Sequence, residues 1–285
     1  MRNEIIHLKD IYPFLGVDNA DPTLETFLPH NDSLHMNRGN QKRPCIIICP
    51  GGGYNVCSKR ESEPIALKYL QAGFNVFLLT YSPGTWNIRF PAQLNEVAAV
   101  MQLVYVNAEK WNCDIEKKAI IGFSAGGHLA AHYSTAFDCE EVRKNFPESK
   151  SVNATILCYP VISADHQFDD YGGNKGSFLN LLGHPLNDDD INKLSCEKLV
   201  TDNTPSAFIW HTAEDTCVSV KNSILYATAL SEHKIPFELH IFPYGDHGLS
   251  TCDYETIDNP GAICEYDKVW IQESIKWLKL MLKFK

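Results

Sequence analysis

The sequence predicts an α/β fold in which a mostly parallel sheet carries helices on both of its faces. Three observations predict it: continuous apolar runs of strand length, helix-like segments between them, and a Gly-x-Ser-x-Gly motif that joins a strand-like run to a helix-like run. Continuous apolar runs fit strands that are covered on both faces, and strands alternating with helices are typical of parallel sheets. Because the chain has 285 residues, we expect one α/β domain over residues 1–285.

The elements follow from their hydrophobic patterns, taken in chain order. Alternating stretches in residues 1–43, such as residues 23–29, predict antiparallel edge strands with one wet face, and the polar residues 31–43 predict a hairpin-type connection. Further strands are expected at residues 45–50, 74–81, 117–123, 154–160, 206–211 and 237–242, and helices at residues 63–72, 91–110, 218–233 and 267–283, besides the helix that follows the Gly-x-Ser-x-Gly motif.

Residues 162–204 interrupt this alternation between two of the strands. The segment is more polar than its surroundings and contains Gly172-Gly173 and three consecutive aspartates at residues 188–190. We interpret it as a cap-like insertion over the sheet edge and not as a separate domain. The aspartates could be imagined as a metal site, but such a run is more often the start of a solvated helix, here with Asn187 or Asp188 as the N-cap.

Charge and composition exclude several classes of function. The chain has 25 basic and 35 acidic residues, and a formal net charge of −10 disfavours nucleic acid and anionic membrane surfaces as partners. We identify no secretory signal at the start and no uncharged run long enough to span a membrane. The ten cysteines include no Cys-x-x-Cys pair, and three of them (Cys45, Cys49 and Cys158) lie inside apolar runs, so we expect free thiols in a cytoplasmic setting.

The Gly-x-Ser-x-Gly motif at residues 122–126 has the spacing of a nucleophile elbow. Its glycines flank Ser124 at positions where a β-carbon would crowd a sharp strand-to-helix turn. The turn exposes the serine hydroxyl in front of the amino end of a helix, where unpaired N–H groups favour a developing oxyanion. The motif alone is weak evidence for a nucleophile, because an ordinary strand–turn–helix can contain the same small residues. Residues elsewhere in the chain must decide whether Ser124 has this role.

A serine nucleophile requires an imidazole base and a carboxylate that orients it, and in this kind of fold the acid precedes the histidine along the chain. The strand that ends at His211 leads into a loop with Asp215, and the strand that ends at Phe242 leads into a loop with His247. We predict Asp215 as the acid and His247 as the base. Alternatives are Glu214 or Asp246 as the acid, His211 as a residue that lines the pocket, and His128 in a packed or surface role.

The oxyanion requires backbone N–H groups that no side chain obstructs. Residues 51–53, Gly-Gly-Gly, follow directly after a buried strand and precede the elbow by about seventy residues. We predict an oxyanion hole formed by the N–H groups of Gly52, Gly53 and Ala125. A merely flexible turn is the alternative, and a phosphate-binding loop is disfavoured because no Gly-Lys-Ser/Thr follows.

With these residues assembled, the chain resembles an α/β-hydrolase of the bacterial esterase/lipase group. It is most similar to small acetyl esterases and acetylxylan-esterase-like proteins, some of them labelled sugar hydrolases. The resemblance covers about residue 20 to the end and is carried by residues 50–54 (Pro-Gly-Gly-Gly-Tyr), 122–130, 210–215 (Trp-His-Thr-Ala-Glu-Asp) and 245–248 (Gly-Asp-His-Gly). Hormone-sensitive-lipase-like relatives carry a histidine where this chain has Pro50, which weakens assignment to that branch and favours the type linked with sugar acetyl esters.

The resemblance implies an eight-stranded α/β-hydrolase sheet and a serine carboxylester hydrolase that works through an acyl-enzyme, with no metal or organic cofactor. We expect a small-molecule ester as substrate: a short acyl group, acetate first, on a soluble alcohol such as a sugar or xylo-oligosaccharide. The cap-like insertion is too short and polar for a lipase lid. Tyr54, Tyr81 and Trp86 lie in the loops after the third and fourth strands, which rim such a pocket, and could stack on a sugar, although simple packing is the commoner role of aromatic residues in loops.

Two other classes remain open from the sequence. One is an amide or peptide hydrolase of the formamidase or prolyl-oligopeptidase type on the same fold. The other is a non-catalytic binding protein, which the presence of Ser124, Asp215 and His247 together makes improbable.

Overall fold

Residues 1–30, 42–257 and 266–284 are described by a computed structural model, and they contain an eight-stranded sheet. The strands are β1 (Arg2–His7), β2 (Thr23–Leu28), β3 (Arg43–Cys49), β4 (Asn75–Thr80), β5 (Cys113–Phe123), β6 (Ala154–Cys158), β7 (Ser206–Thr212) and β8 (Phe237–Phe242). Their order across the sheet is β1-β2-β4-β3-β5-β6-β7-β8. The predicted eight-stranded sheet is thus confirmed.

Parallel pairing runs from β4 through β3 and β5 to β8, and the two N-terminal strands are antiparallel. β1 pairs with β2, and β2 pairs with β4, both in the antiparallel sense, while every pairing from β4·β3 to β7·β8 is parallel. The antiparallel edge that the alternation in residues 1–43 predicts is therefore present. The predicted hairpin-type connection falls mostly on residues 31–41, which lie outside the described residues.

Ten α-helices lie in the described ranges. They are α1 (Leu8–Ile11), α2 (Glu63–Gln71), α3 (Ala92–Val106), α4 (Ala108–Trp111), α5 (Ser124–Ala136), α6 (Glu140–Arg143), α7 (Gly173–Leu182), α8 (Asp188–Leu194), α9 (Lys221–Glu232) and α10 (Val269–Met281). None of these helices combines the length and the apolarity that a membrane span would require.

The sheet separates two hydrophobic cores, as successive side chains of a strand point to opposite faces. Ile47 of β3 belongs to the core that contains α3, α5 and α9, and its neighbours Ile46 and Ile48 belong to the core that contains α2 and α10. A strand buried on both faces has no polar alternation, which explains the continuous apolar runs in the sequence.

The helix predicted over residues 91–110 is interrupted. α3 ends at Val106 and α4 begins at Ala108, because Asn107 has non-helical backbone angles between them. The Asn107 side chain donates a hydrogen bond to the carbonyl oxygen of Leu103 at 2.9 Å. Short amide side chains compete with the helix for backbone partners in this way, so the apolar periodicity alone overestimates the length of the helix.

Residues 162–204 lie between β6 and β7 and contain α7 and α8; we call this segment the insertion. The three aspartates at its centre form the first turn of α8. Asn187 is the N-cap and accepts a hydrogen bond from the Asp190 N–H, and the Asp190 carboxylate accepts one from the Asn187 N–H. This reciprocal capping box matches the helix-start interpretation of the aspartate run.

A buried glutamate of α3 makes the stability of the protein depend on pH. Glu96 is fully buried, and one of its oxygens accepts a hydrogen bond from the Ser82 N–H at 2.8 Å while the other has no partner within the described part of the chain. Burial raises the pKa of Glu96 to about 7, against the smaller lowering effect of the hydrogen bonds from Ser82. Because the folded-state pKa lies above the unfolded value near 4.3, this group costs stability as the pH rises through that interval.

We therefore expect Glu96→Gln to raise the free energy of unfolding above that of the wild type. This increase should be larger at pH 8 than at pH 5, by about 3 kcal/mol. Urea unfolding at both pH values measures this difference. The exposed Glu140→Gln is the control, since removing a solvated glutamate should leave the pH dependence unchanged. Parallel stability curves for the wild type and Glu96→Gln would contradict the assignment.

Candidate active site

Ser124 lies at the junction of β5 and α5, where the sequence predicts a nucleophile elbow. Its φ is +52°, a left-handed conformation that costs energy for any residue with a side chain. The flanking glycines permit the turn, because a β-carbon on Gly126 would lie 2.2 Å from the carbonyl oxygens of Cys49 and Pro50, and one on Gly122 would lie 2.1 Å from that of Gly126. The serine is 7% exposed at the amino end of the helix.

His247 lies in the loop after β8 and contacts the serine directly. Its Nε2 is 2.8 Å from the Ser124 Oγ, and its Nδ1 is 2.6 Å from Oδ2 of Asp215. A carboxylate can only accept, so Nδ1 carries the proton and donates it to Asp215. Nε2 is then left as the acceptor of the serine proton, which is the tautomer a general base requires.

Asp215 is held by four donors in the interior of the protein. Its Oδ1 accepts from the N–H groups of Cys217 and Val218 at 2.9 and 2.8 Å, and its Oδ2 accepts from both His247 and His211. Burial by itself would raise the pKa of Asp215, but the hydrogen bonds from the two imidazoles and their charges outweigh it and hold the pKa well below its usual range. The group is therefore a carboxylate at neutral pH.

The rival acids of the sequence lie elsewhere. Glu214 and Asp246 are both exposed, and no hydrogen bond links either side chain to His247 within the described residues. The geometry therefore selects Asp215 as the carboxylate partner of this imidazole.

His211 is the residue that sequence reasoning misplaced. It does not line a pocket, as one alternative had it, but is fully buried at the end of β7. Its Nε2 lies 3.1 Å from Asp215 Oδ2 and 3.0 Å from the Val218 carbonyl oxygen, so it donates to these acceptors, while its Nδ1 lies 2.8 Å from the Ser223 Oγ. The signal in the sequence was its position four residues before Asp215, but only the fold shows that the two side chains face each other.

The glycine loop, residues 50–56, lies against the serine. A β-carbon added to Gly51 would be 3.0 Å from the Ser124 Cβ. The carbonyl oxygen of Gly52 accepts from the N–H groups of Asn55 and Val56, and that of Gly53 accepts from the Asn180 side chain of the insertion. These bonds, together with the positive φ of +122° at Gly52, fix the orientation of the peptide planes.

The predicted oxyanion donors are available in this arrangement. Within the described part of the chain, the N–H groups of Gly52 and Gly53, which lie in no helix or strand, donate to no backbone carbonyl, and that of Ala125 donates to none outside α5. Ala125 is in the first turn of α5, where N–H groups lack intrahelical partners and the helix dipole favours negative charge. These three groups remain our predicted oxyanion hole.

Two of the three aromatic residues predicted to contact substrate lie in the interior. Tyr54 is 1% exposed, and its hydroxyl is 2.8 Å from Nδ1 of His128. Tyr81 is fully buried and donates to the Pro50 carbonyl oxygen at 2.8 Å. Neither ring offers surface to a ligand, so the packing alternative describes both: Tyr54 ties the glycine loop, to which it belongs, to His128, and Tyr81 holds the loop at Pro50. Trp86 is 38% exposed and keeps its predicted contact with substrate as an expectation.

His128, which the sequence placed in a packed or surface role, joins the glycine loop to the insertion. Its Nε2 donates to the Leu194 carbonyl oxygen at 2.8 Å, so its Nδ1 accepts from the Tyr54 hydroxyl. Burial lowers the pKa of His128 to about 4, against a smaller raising effect of the bond to Leu194. The imidazole therefore stays neutral and structural at neutral pH.

The arrangement as a whole brings a hydroxyl and an accepting imidazole nitrogen together at the carboxyl end of the central strand β5, next to the glycine loop. It has the parts required for acyl transfer. Across the described ranges, no three or more His, Cys, Asp or Glu side chains are grouped so that they could hold a metal ion.

The BD-FAE family model matches residues 33–230 of the chain. The chain is 38% identical over 240 residues to the endo-1,4-beta-xylanase B of Butyrivibrio fibrisolvens, a match that covers 82% of this chain and 35% of that protein. It is 30% identical over 267 residues to an acetylxylan esterase of Xylanibacter ruminicola, a match that covers 92% of this chain and 49% of that protein. The chain thus spans half or less of the length of these two relatives.

Among solved structures, the chain is similar to an acetyl ester-xyloside bifunctional hydrolase from Caldicellulosiruptor lactoaceticus. The TM-score is 0.82 at 31% sequence identity, and the superposition covers 100% of this chain and 98% of that one. The likeness therefore extends over the whole sheet and the insertion.

Proposed function

The chain belongs to the BD-FAE family, and from this premise we propose that it is a serine carboxylester hydrolase of α/β-hydrolase fold that removes short acyl groups, acetate first, from sugars or xylo-oligosaccharides. The single observation that carries the proposal is the continuous hydrogen-bonded chain from Ser124 through His247 to Asp215, at 2.8 and 2.6 Å. The residues of these two hydrogen bonds are 123 and 32 positions apart along the chain, and local sequence effects cannot bring them together. We also propose a cytoplasmic setting, in keeping with the free thiols of the described residues.

In the first half of the proposed reaction, the Ser124 Oγ attacks the carbonyl carbon of the ester while Nε2 of His247 takes the hydroxyl proton. Asp215 holds the imidazole in the required tautomer and stabilises the imidazolium that forms. The negative charge moves to the former carbonyl oxygen, where the N–H groups of Gly52, Gly53 and Ala125 are the proposed donors. The bond to the sugar oxygen then breaks, and the imidazolium gives its proton to that oxygen.

In the second half, a water molecule takes the place of the alcohol. His247 removes a proton from the water as it attacks the acyl carbon, and the tetrahedral intermediate again places its charge on the same N–H groups. When the intermediate collapses, the imidazolium protonates the Ser124 Oγ, and the carboxylic acid leaves. The two halves consume one water and release one alcohol and one acid, and no cofactor is needed.

The substrate part of the proposal rests on the comparisons and on the rim of the site. One relative is described as an acetylxylan esterase and a structural neighbour as an acetyl ester-xyloside hydrolase. The exposed ring of Trp86 is available beside the glycine loop, since the adjacent Thr85 hydroxyl donates to the Asn55 carbonyl oxygen at 3.0 Å. An aromatic face at this place suits a sugar ring, whose C–H groups stack on π-systems.

A substrate panel tests the proposal. We expect kcat/KM for p-nitrophenyl esters to fall by about tenfold or more from acetate to octanoate, because a site built for acetate cannot accommodate a longer chain without displacing packed side chains. Acetylated xylo-oligosaccharides should be deacetylated, with acetate release as the readout. An aminoacyl amide is the comparison substrate, and faster turnover of the amide than of the esters would overturn the esterase proposal in favour of an amide or peptide hydrolase.

A further inference from the structure

We propose that Glu61 is a positioning residue that holds two loops at a fixed distance from each other around Ser124. These are the glycine loop and the loop of residues 243–252, which we call the histidine loop. The inference rests on the proposed esterase function and deepens it. Glu61 lies in the turn before α2, far from the Gly-x-Ser-x-Gly motif in sequence, and it is 3% exposed. A carboxylate taken out of water in this way is costly unless its oxygens are fully occupied by donors.

Both oxygens of Glu61 are occupied, and their partners belong to the candidate site. Oε2 accepts from the Gly51 N–H at 2.8 Å, and Oε1 accepts from the Tyr159 hydroxyl at 2.7 Å. Gly51 is the residue before the two proposed oxyanion glycines, so this bond fixes the peptide plane from which their N–H groups continue. A hydrogen bond to a charged acceptor is stronger than one between neutral groups, which suits a group that must hold a glycine-rich segment still.

Tyr159 extends the contact to the base. Its hydroxyl also accepts from the Ser250 N–H at 3.0 Å, which ties down the loop that carries His247. The edge of its ring meets the imidazole of His247, with 5.1 Å between the ring centroids and 71° between the planes. Burial, and next the charge of Glu61, raise the pKa of Tyr159, so its hydroxyl remains a donor to Glu61 over the whole range of enzyme assays.

The backbone next to Glu61 makes the same two connections. The Ser58 N–H donates to the Gly51 carbonyl oxygen at 2.9 Å, and the Ser250 hydroxyl donates to the Arg60 carbonyl oxygen at 2.6 Å. Residues 58–61 therefore contact the glycine loop on one side and the histidine loop on the other. Loops that supply the base and the oxyanion donors must keep their spacing to fractions of an ångström for catalysis. Glu61 is the buried carboxylate that contacts both sides of this arrangement, through Gly51 and through Tyr159.

The test compares Glu61→Gln with a matched control, Glu96→Gln. Both residues are buried glutamates that accept a backbone N–H at 2.8 Å, but Glu96 contacts Ser82 and neither loop. The amide nitrogen of glutamine cannot accept, so Glu61→Gln loses one of the two bonds. We expect its kcat for p-nitrophenyl acetate to fall about 10- to 100-fold with KM changed less than about threefold, on the scale of a weakened oxyanion hole. Glu96→Gln should keep the kcat of the wild type.

A second readout separates positioning from general loss of structure. An alkyl boronic acid that forms a tetrahedral adduct with Ser124 should lose affinity for Glu61→Gln by the same factor as kcat/KM, because it mimics the intermediate that the two loops surround. Thermal unfolding and near-ultraviolet circular dichroism check that the variant is folded at the assay temperature. If it is not, Tyr159→Phe decides instead: it keeps the ring against His247, removes the hydroxyl between Glu61 and Ser250, and should show the same split between kcat and KM.

The outcomes are distinct. A folded Glu61→Gln, or failing that a folded Tyr159→Phe, with kcat within twofold of the wild type overturns the inference, and so does an equal loss in Glu96→Gln. A wild-type protein that hydrolyses no ester, and whose Ser124 does not react with a phosphonate, would instead refute the proposed function.

Discussion

Ser124→Ala is expected to lower kcat for p-nitrophenyl acetate by about four to six orders of magnitude while the protein stays folded. Alanine has the same β-carbon as serine, so the left-handed backbone at this position, with φ at +52°, is no more strained than before. What is lost is the Oγ, the atom that forms the acyl bond and the one that lies 2.8 Å from Nε2 of His247. The residual rate comes from the oxyanion donors and from substrate binding alone.

Two measurements make this prediction decisive. A phosphonate that reacts with activated serines should add its mass to the wild type and not to Ser124→Ala. The matched control is Ser134→Ala on the same helix: Ser134 is buried, but its hydroxyl lies 2.7 Å from the Thr155 hydroxyl and donates to the Ala130 carbonyl oxygen, so it takes no part in the site. Retention of more than about 1% of the wild-type kcat by Ser124→Ala would contradict the proposed mechanism.

The parts of this structure that the sequence predicts are those that depend on local patterns. A strand covered on both faces has a continuous apolar run, so the predicted strands at 74–81 and 206–211 match β4 (Asn75–Thr80) and β7 (Ser206–Thr212) to within one residue at each end. The elbow is predicted for a similar reason, because the close approach of backbone at Gly126 admits only a residue without a side chain. Asp215 and His247 lie in the loops after β7 and β8. Because these neighbouring strands are parallel, their carboxyl ends bring the two loops together.

The parts that the sequence does not predict depend on contacts between distant segments. Tyr54 and Tyr81 follow strands at the rim of the pocket, yet an aromatic ring in such a loop can turn outward to solvent or inward to the core with the same local sequence. In the fold, both hydroxyls find interior partners, on His128 and Pro50, and the rings are buried. The same holds for Glu61, whose contact with Tyr159 joins residues 98 positions apart.

For His211 the sequence predicts the location of the residue but not the direction of its side chain. Its position at the end of a predicted strand, beside the acid loop, makes it a candidate pocket residue, and in the fold it does lie next to Asp215. Its side chain, however, points into the protein and donates to Oδ2 of Asp215, the oxygen that also accepts from His247. The direction of a side chain near the end of a strand depends on the register with the neighbouring strands, and this information is not contained in the strand itself.

Asp215→Asn is expected to lower kcat by about four orders of magnitude, because it reverses the proton arrangement on His247. The N–H groups of Cys217 and Val218 both require an acceptor at the position of Oδ1, so the asparagine oxygen must face them. The asparagine NH₂ then faces the two imidazoles, where the native carboxylate accepts protons from both. A donor in this place forces Nδ1 of His247 to become an acceptor, which moves its proton to Nε2, and an Nε2–H cannot take the proton of Ser124.

The same substitution changes how stability depends on pH, with a definite sign. The folded-state pKa of Asp215 lies well below its unfolded value, so the carboxylate stabilises the fold at every pH above about 4 and loses this contribution as the pH falls toward the folded-state pKa. Asp215→Asn should therefore destabilise the protein more at pH 7 than at pH 3, as urea unfolding at the two pH values can measure. Glu214→Gln, which neutralises the exposed neighbour, is the matched control and should keep the wild-type kcat and pH dependence. If Glu214→Gln loses activity while Asp215→Asn retains it within tenfold, the acid has been assigned to the wrong residue, because only the carboxylate that holds the Nδ1 proton can be essential to the base.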